Sequence, residues 1–142
     1  MVHGCAHAAL KRVDIVVLRC LVVDDDRDGA TSLGAYLRVL GADVCVVFSG
    51  AEAIQVATEF RPQLVVLDIN MPDLNGFETA ERLKHQAWAH DATFVAHTAA
   101  GQALRRAAMA AGFHHFMVKG DSVAYFDAIV DRLLIGDPGQ LS

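Results

Sequence analysis

Carboxylates follow two of the short apolar runs in this chain. Asp24, Asp25 and Asp26 come directly after one run, and Asp68 comes directly after another. Crowded carboxylates repel one another, and a hard divalent cation with oxygen ligands relieves that repulsion; near phosphates the usual cation is Mg²⁺. If the two runs end side by side, these residues form a metal site that favours an incoming phosphate.

A hydroxyl and an ammonium group follow two further apolar runs, at Thr98 and Lys119. Phosphoryl transfer spreads negative charge over three equatorial oxygens, so it needs cations and hydrogen-bond donors around an in-line nucleophile. Asp68, alone at the end of its run and before the turn 71–76, is the natural nucleophile and would form an acyl phosphate. Taken singly, each residue could be a helix cap, a turn residue or a surface group. Their joint placement favours the chemical interpretation.

The elements that must position these residues alternate between β-branched runs and longer stretches with apolar residues three or four apart. This alternation predicts a parallel α/β sheet. The predicted strands are 19–23, 44–48, 64–67, 93–97 and 115–118. The predicted helices fall around 30–40, 53–60, 76–83, 104–111 and 126–133, the first of them stopping at Gly41. Because the carboxyl ends of parallel strands lie along one edge, four of the five strands deliver a polar side chain to that edge.

Length, charge and cysteine content narrow the range of functions. A chain of 142 residues fits one domain. Its formal charge of -5 gives no reason to expect direct binding to nucleic acid or to an anionic membrane. Three cysteines, Cys5, Cys20 and Cys45, cannot all pair with one another and favour free thiols in a reducing compartment. The apolar stretches predict neither a membrane span nor a secretory signal, so we expect a cytoplasmic protein.

The motifs together resemble the receiver domains of bacterial two-component response regulators, and the resemblance covers about 18–134. The matching motifs are LVVDDD at 21–26, LDINMPDLNG at 67–76, HTA at 97–99 and FMVK at 116–119. The resemblance implies a doubly wound (βα)5 flavodoxin-like fold with helices on both faces. It also implies a five-stranded parallel sheet of order 2-1-3-4-5.

The resemblance assigns roles to individual residues. It implies that Asp24 and Asp25 help to hold Mg²⁺. Asp68 would be phosphorylated and would also ligate the metal, and Asn70 would contribute its main-chain carbonyl.

Thr98 and Lys119 would contact the phosphoryl group. In the family, the counterpart of Thr98 moves toward the phosphate and an aromatic residue on the fifth strand turns inward. Phe116 matches that aromatic residue, although it could equally be an ordinary half-buried strand residue.

Two features depart from the family's pattern. Gly120 follows Lys119 where the family usually has Pro, which leaves the lysine in place and puts the geometry of the next loop in question. The second departure is an N-terminal extension or linker at 1–17, which precedes the receiver domain at 18–135 and the C-terminal tail at 136–142.

The implied function is that of a phosphoacceptor in a two-component phosphorelay, a signalling domain and not a turnover enzyme. The expected phosphoryl donor is a phosphohistidine on a sensor histidine kinase or on a histidine phosphotransfer domain. The downstream effector is a protein that the residues do not identify, and a phosphorylation-dependent dimer is a further expectation. A free-standing regulator and a segment of a hybrid kinase both fit the sequence.

Three other interpretations use the same residues. The segment 24–29 fits the first half of an EF-hand loop, but Ala35 stands where a bidentate Glu is required. The segment 26–31 resembles the nucleophile and general-acid motif of haloacid-dehalogenase-type phosphatases, which would leave Asp68 without a role. The third interpretation is an interaction module that has the receiver fold and is not phosphorylated. The retained acidic, hydroxyl and ammonium groups argue against it.

Overall fold

The computed structural model describes residues 17–121 and 123–135. The strands are β1 (Arg19–Val23), β2 (Asp43–Val47), β3 (Leu64–Leu67), β4 (Thr93–Thr98) and β5 (His115–Val118). The helices are α1 (Arg27–Val39), α2 (Gly50–Phe60), α3 (Gly76–Lys84), α4 (Arg105–Ala110) and α5 (Ala124–Ile135). The tail predicted at 136–142, and all of the predicted extension except Val17, lie outside the described residues.

The five strands form one parallel sheet in the order β2-β1-β3-β4-β5. This order confirms the predicted doubly wound topology. The register pairs Val23 with Val47 on one side of β1 and with Leu67 on the other. Because β1 and β3 end side by side, the residues that follow them, Asp24 and Asp68, begin at the same level of the sheet edge.

Alternate residues of each strand pack into separate cores on the two faces of the sheet. Leu21 of β1 lies in the core that α2, α3 and α4 cover, and the adjacent Val22 lies in the core that α1 and α5 cover. Strands buried on both faces need apolar residues throughout, which explains the continuous runs in the sequence. The rigid layers hold the ends of the strands in fixed positions.

Most element boundaries follow the predictions. β1, β3 and β5 have the predicted bounds, β2 begins and ends one residue earlier, and β4 includes Thr98. α1 stops at the predicted place, because Gly41 adopts φ +106° and its N–H donates to Arg38 O at 3.0 Å. Two short 3-10 helices, Ala87–Asp91 and Gly101–Leu104, were not predicted.

The cysteines do not all follow the expectation from the sequence. Cys20 on β1 is a free, buried thiol, and burial raises its pKa. Cys45 on β2 is disulfide-bonded, so the expectation of free thiols was wrong at that residue. Within 17–121 and 123–135, no helix has the length and apolar character needed to cross a membrane.

Candidate functional site

Two buried carboxylates lie at the edge where β1 and β3 end. The main-chain N–H of Asp24 donates to Val47 O at 3.2 Å, and that of Asp68 donates to Val23 O at 2.9 Å. These bonds continue the sheet ladder past the last strand residue and fix the direction of both side chains. Asp24 and Asp68 are each only 5% exposed, whereas Asp25 is exposed.

The three predicted acidic ligands lie together. Asp24, Asp25 and Asp68 each offer a carboxylate oxygen, and these oxygens lie within 4.8 Å of one another. Asn70 lies beside them, since its main-chain N–H donates to Asp68 Oδ1 at 3.2 Å. An all-oxygen set of three carboxylates, two of them buried, fits a hard divalent cation such as Mg²⁺.

Lys119 lies directly after β5 and reaches both buried carboxylates. Its Nζ is 2.7 Å from Asp24 Oδ2 and 3.3 Å from Asp68 Oδ2. The main-chain N–H of Lys119 donates to Thr98 O at 2.8 Å, which places Thr98 next to the same site. The Thr98 side chain is fully buried, and its Oγ1 accepts the N–H of Ala100 at 3.2 Å. The structure therefore brings together the residues that the sequence analysis selected from four strands.

The pKa values of Asp68 and Lys119 are both raised, but from different causes. Burial and then the charge of Asp24 raise the pKa of Asp68 to about 6, against the lowering effect of Lys119. Burial alone would lower the pKa of Lys119, but its hydrogen bond to Asp24 and the two negative charges raise it overall. At neutral pH the site therefore holds an ionised Asp68 beside a protonated lysine.

A tight loop joins Asp68 to α3. The N–H of Gly76 donates to Ile69 O at 2.8 Å, and a Cβ at Gly76 would lie 2.3 Å from Asp68 O. Only glycine fits there, because any side chain would collide with the main chain of the nucleophile candidate. Asn75 and Glu78 then begin α3 with a reciprocal capping box. Gly76 was part of the loop motif in the sequence, but this steric role was not predicted for it.

Phe116 lies on β5, before Lys119, and Gly120 follows the lysine directly. Phe116 is already buried in the core that α2, α3 and α4 cover, with 7% exposure. Ordinary strand packing accounts for this position, so its role in switching stays a prediction. Gly120 has φ +98° and open space around it. The glycine turns the loop without displacing the lysine from the carboxylates.

His97 on β4 belongs to the HTA motif, but no role was predicted for it. Its ring meets the Phe126 ring of α5 edge-on, with centroids 5.6 Å apart. Burial and then the charge of Lys119 lower the pKa of His97, against the raising effect of Asp24. The available signal was a histidine inside an otherwise apolar run.

The EF-hand interpretation is wrong, because α1 begins at Arg27 and turns most of the supposed loop into helix. Asp26 is the exposed N-cap of α1, and its main-chain N–H donates to Asp24 Oδ1 at 2.9 Å. In the phosphatase interpretation Asp26 would be the nucleophile, yet Asp26 is exposed. The buried carboxylates paired with Lys119 are Asp24 and Asp68.

This chain is similar in sequence to a family model and to curated proteins. The family model described as the response regulator receiver domain matches residues 20–130. The transcriptional regulatory protein PrrA of Mycobacterium tuberculosis is 50% identical over 66 residues, which is 46% of this chain and 28% of that protein. The sensor histidine kinase AtsR of Burkholderia thailandensis is 34% identical over 116 residues, 81% of this chain and 17% of that protein. The chain thus spans less than a third of the length of these relatives.

Solved structures share the fold over most of the chain. The chemotaxis protein CheY4 of Vibrio cholerae superposes with a TM-score of 0.76 at 22% identity, covering 84% of this chain and 100% of that one. The receiver domain of sensor histidine kinase PA1611 from Pseudomonas aeruginosa gives 0.75 at 26% identity, covering 85% and 100%. The PA1611 structure has a magnesium ion coordinated in its active site cleft.

Proposed function

Because this chain belongs to the response regulator receiver domain family, we propose that Asp68 accepts a phosphoryl group from a phosphohistidine and that the modified domain then signals to an effector protein. The observation that carries the proposal is the position of Asp68. Its carboxylate is buried, faces the oxygens of Asp24 and Asp25, and lies 3.3 Å from Lys119.

Asp68 is the nucleophile in this proposal. An Asp68 oxygen forms a bond to phosphorus while the bond between phosphorus and the donor imidazole nitrogen breaks, and the electron pair stays on that nitrogen. The reaction requires the ionised carboxylate. In the metal-free site, burial and the charge of Asp24 raise the pKa of Asp68 to about 6, and a bound Mg²⁺ would favour the ionised form that attacks phosphorus.

The surrounding residues hold and neutralise charge. Lys119 supplies a fixed cation for the phosphoryl oxygens, and Thr98 supplies a hydroxyl donor from the adjacent strand. Mg²⁺, held by Asp24, Asp25, Asp68 and the main-chain carbonyl of Asn70, would neutralise charge on the carboxylates and on the incoming phosphoryl group. The cluster of oxygens and the magnesium ion in the PA1611 receiver support this assignment.

Signal output is proposed to follow from the new charge. A phosphoryl group adds nearly two negative charges, and Thr98 would turn its hydroxyl from the Ala100 N–H toward them. Phe116, buried on the neighbouring strand, would then repack and change the surface near α4. We further propose that the phosphoryl donor is a sensor histidine kinase or a histidine phosphotransfer domain and that an effector protein responds to the changed surface. A phosphorylation-dependent dimer and a cytoplasmic location are part of the same proposal.

Incubation with acetyl phosphate and Mg²⁺, followed by intact mass measurement, tests the phosphoacceptor. We expect one phosphoryl group per chain on the wild type and on Asp73→Asn, and none on Asp68→Asn. Asp73 is a matched control because it lies in the same loop, is exposed and has φ +64°, which Asn tolerates. An adduct on Asp68→Asn equal to that of the wild type would contradict the proposal.

The same preparation separates the two alternative functions. A haloacid-dehalogenase-type phosphatase would release phosphate continuously from an aryl phosphate, would lose that activity in Asp26→Asn and would keep it in Asp68→Asn. An unphosphorylated interaction module would form no adduct and would not become more stable in Mg²⁺, whereas a site that binds the ion only when folded must do so.

A further inference from the structure

α4 is a short helix that buries little of its own surface. Of its residues only Ala108 is buried, and its N-cap makes no side-chain hydrogen bond. The chain enters α4 through the 3-10 helix Gly101–Leu104, in which no residue is buried. Leu104 is partly buried against the core at the N-terminal end of α4, but residues 105–107 after it are exposed, so little apolar surface opposes movement of this end.

The C-terminal end of α4 is held much more firmly. The N–H of Gly112 donates to Met109 O and that of Phe113 to Ala108 O, each at 3.1 Å, and Gly112 has φ +99°. These two bonds form a Schellman motif. Phe113 is 2% exposed, and its ring packs in T-shaped contacts against Phe77 and Phe94.

Lys84, the last residue of α3, also holds the C-terminal end of α4. Its Nζ donates to Gly112 O at 2.8 Å and to Ala111 O at 3.3 Å, two carbonyls that the Schellman motif leaves open. The ammonium also lies 5.0 Å from the centroid of the Phe94 ring and 5.9 Å from that of Phe113. A Cβ at Gly112 would lie 2.3 Å from Nζ, so the glycine makes room for this approach.

We infer that Lys84 is an anchor that holds the C-terminal end of α4 to α3, so that α4 responds to the site by pivoting about this end. α3 suits this role because it starts at Gly76, against the main chain of Asp68, and ends at Lys84. The anchor is a positioning device and takes no part in the chemistry. It rests on the proposed function only for the event that moves the other end of α4.

Hydrogen exchange in the unphosphorylated full chain tests the anchor. Lys84→Met keeps the apolar stem and removes the charge and the donors. We expect the amides of Ala111 to Phe113 to exchange roughly three- to tenfold faster, the range for a partly exposed charge-assisted hydrogen bond. The amides of β3 should keep their protection. Arg82→Met is the matched control, since Arg82 is a cation in the same last turn of α3 and is exposed.

Equal protection of these amides in Lys84→Met and Arg82→Met would overturn the anchor. So would faster exchange of the same size in β3, because the substitution would then lower the stability of the whole domain and not of one helix end. Neither outcome depends on phosphorylation, so this measurement decides the anchor by itself.

Beryllofluoride with Mg²⁺, a stable mimic of the aspartyl phosphate, tests the pivot. In the wild type we expect exchange to change at 99–106 and to stay constant at 109–113; in Lys84→Met the change should extend through 113. A wild-type change of equal size at both ends of α4 would overturn the pivot. If neither protein responds to beryllofluoride, the proposed phosphoacceptor function fails while the first measurement still stands.

Discussion

Replacing Asp68 with Asn removes one of the two buried carboxylates that share Lys119, and it should make the metal-free domain more stable. Burial and the charge of Asp24 raise the pKa of Asp68 from 3.8 to about 6. A carboxyl group whose pKa is raised by folding disfavours the folded state once it ionises. Asn keeps the shape of the side chain and an oxygen that can accept the N–H of Asn70, and it carries no charge.

The size of the effect follows from the pKa. At about 1.4 kcal/mol for each tenfold change in a proton-binding constant, ionised Asp68 costs the folded state at most about 3 kcal/mol at neutral pH. We therefore expect Asp68→Asn to raise the free energy of unfolding by about 1–3 kcal/mol above the folded pKa. The gain should vanish below the unfolded pKa of 3.8, where both states hold a protonated carboxyl. It should grow between 3.8 and about 6.

Urea unfolding in EDTA from about pH 4 to about pH 8 measures this difference. Asp73→Asn, which removes an exposed charge from the same loop, should change the free energy of unfolding by less than about 0.5 kcal/mol. Excess Mg²⁺ should stabilise the wild type more than Asp68→Asn, because the variant lacks one of the proposed metal ligands. An Asp68→Asn domain no more stable than the wild type at pH 7, or a gain that is independent of pH, would refute the electrostatic description.

Three further substitutions probe separate parts of the structure. Lys119→Met leaves Asp24 and Asp68 without their cation, so the free energy of unfolding in EDTA should fall by about 1–3 kcal/mol, and urea titration should show that Mg²⁺ restores the loss. Gly76→Ala would place a Cβ 2.3 Å from Asp68 O; we expect a loss of about 2 kcal/mol or more in urea titration and slower modification by acetyl phosphate in a mass time course. Leu37→Ala, at a fully buried position, should cost about 2–5 kcal/mol and leave the stabilisation by Mg²⁺ unchanged.

The alternation of short β-branched runs with longer amphipathic stretches was sufficient to predict most of the strands and helices. β1, β3 and β5 are buried on both faces, so their apolar runs mark their bounds closely, and Gly41 marks the end of α1. The 3-10 helix Ala87–Asp91 had no local signal, because it depends on tertiary contacts such as the stacking of Trp88 on Phe94. Strand order cannot be read from periodicity either, and here it came from the family resemblance.

The site was predictable in its members and not in its contacts. The residue types at the strand ends indicated which side chains meet, but Lys119 and Asp68 are separated by 51 positions, and the sharing of one ammonium by two carboxylates requires coordinates. Lys84 gave no signal at all. A lysine at the end of a helix is usually a surface residue. The structure is needed to show that Lys84 donates to the main-chain carbonyl of Gly112 and that the glycine leaves room for it.

The electrostatic conflict in the site explains why such a domain can act as a switch. Asp24 and Asp68 are kept 5% exposed by the sheet and share one lysine, so the metal-free state contains more negative charge than it can neutralise. Neutral residues would remove this cost and would also remove the proposed metal ligands and the proposed nucleophile. The unfavourable charge therefore serves a purpose, because each added cation or bound phosphoryl group changes the balance and can shift the populations of two arrangements. Under the proposed phosphorylation of Asp68, the stability that is lost at this edge of the sheet becomes sensitivity to the phosphoryl group.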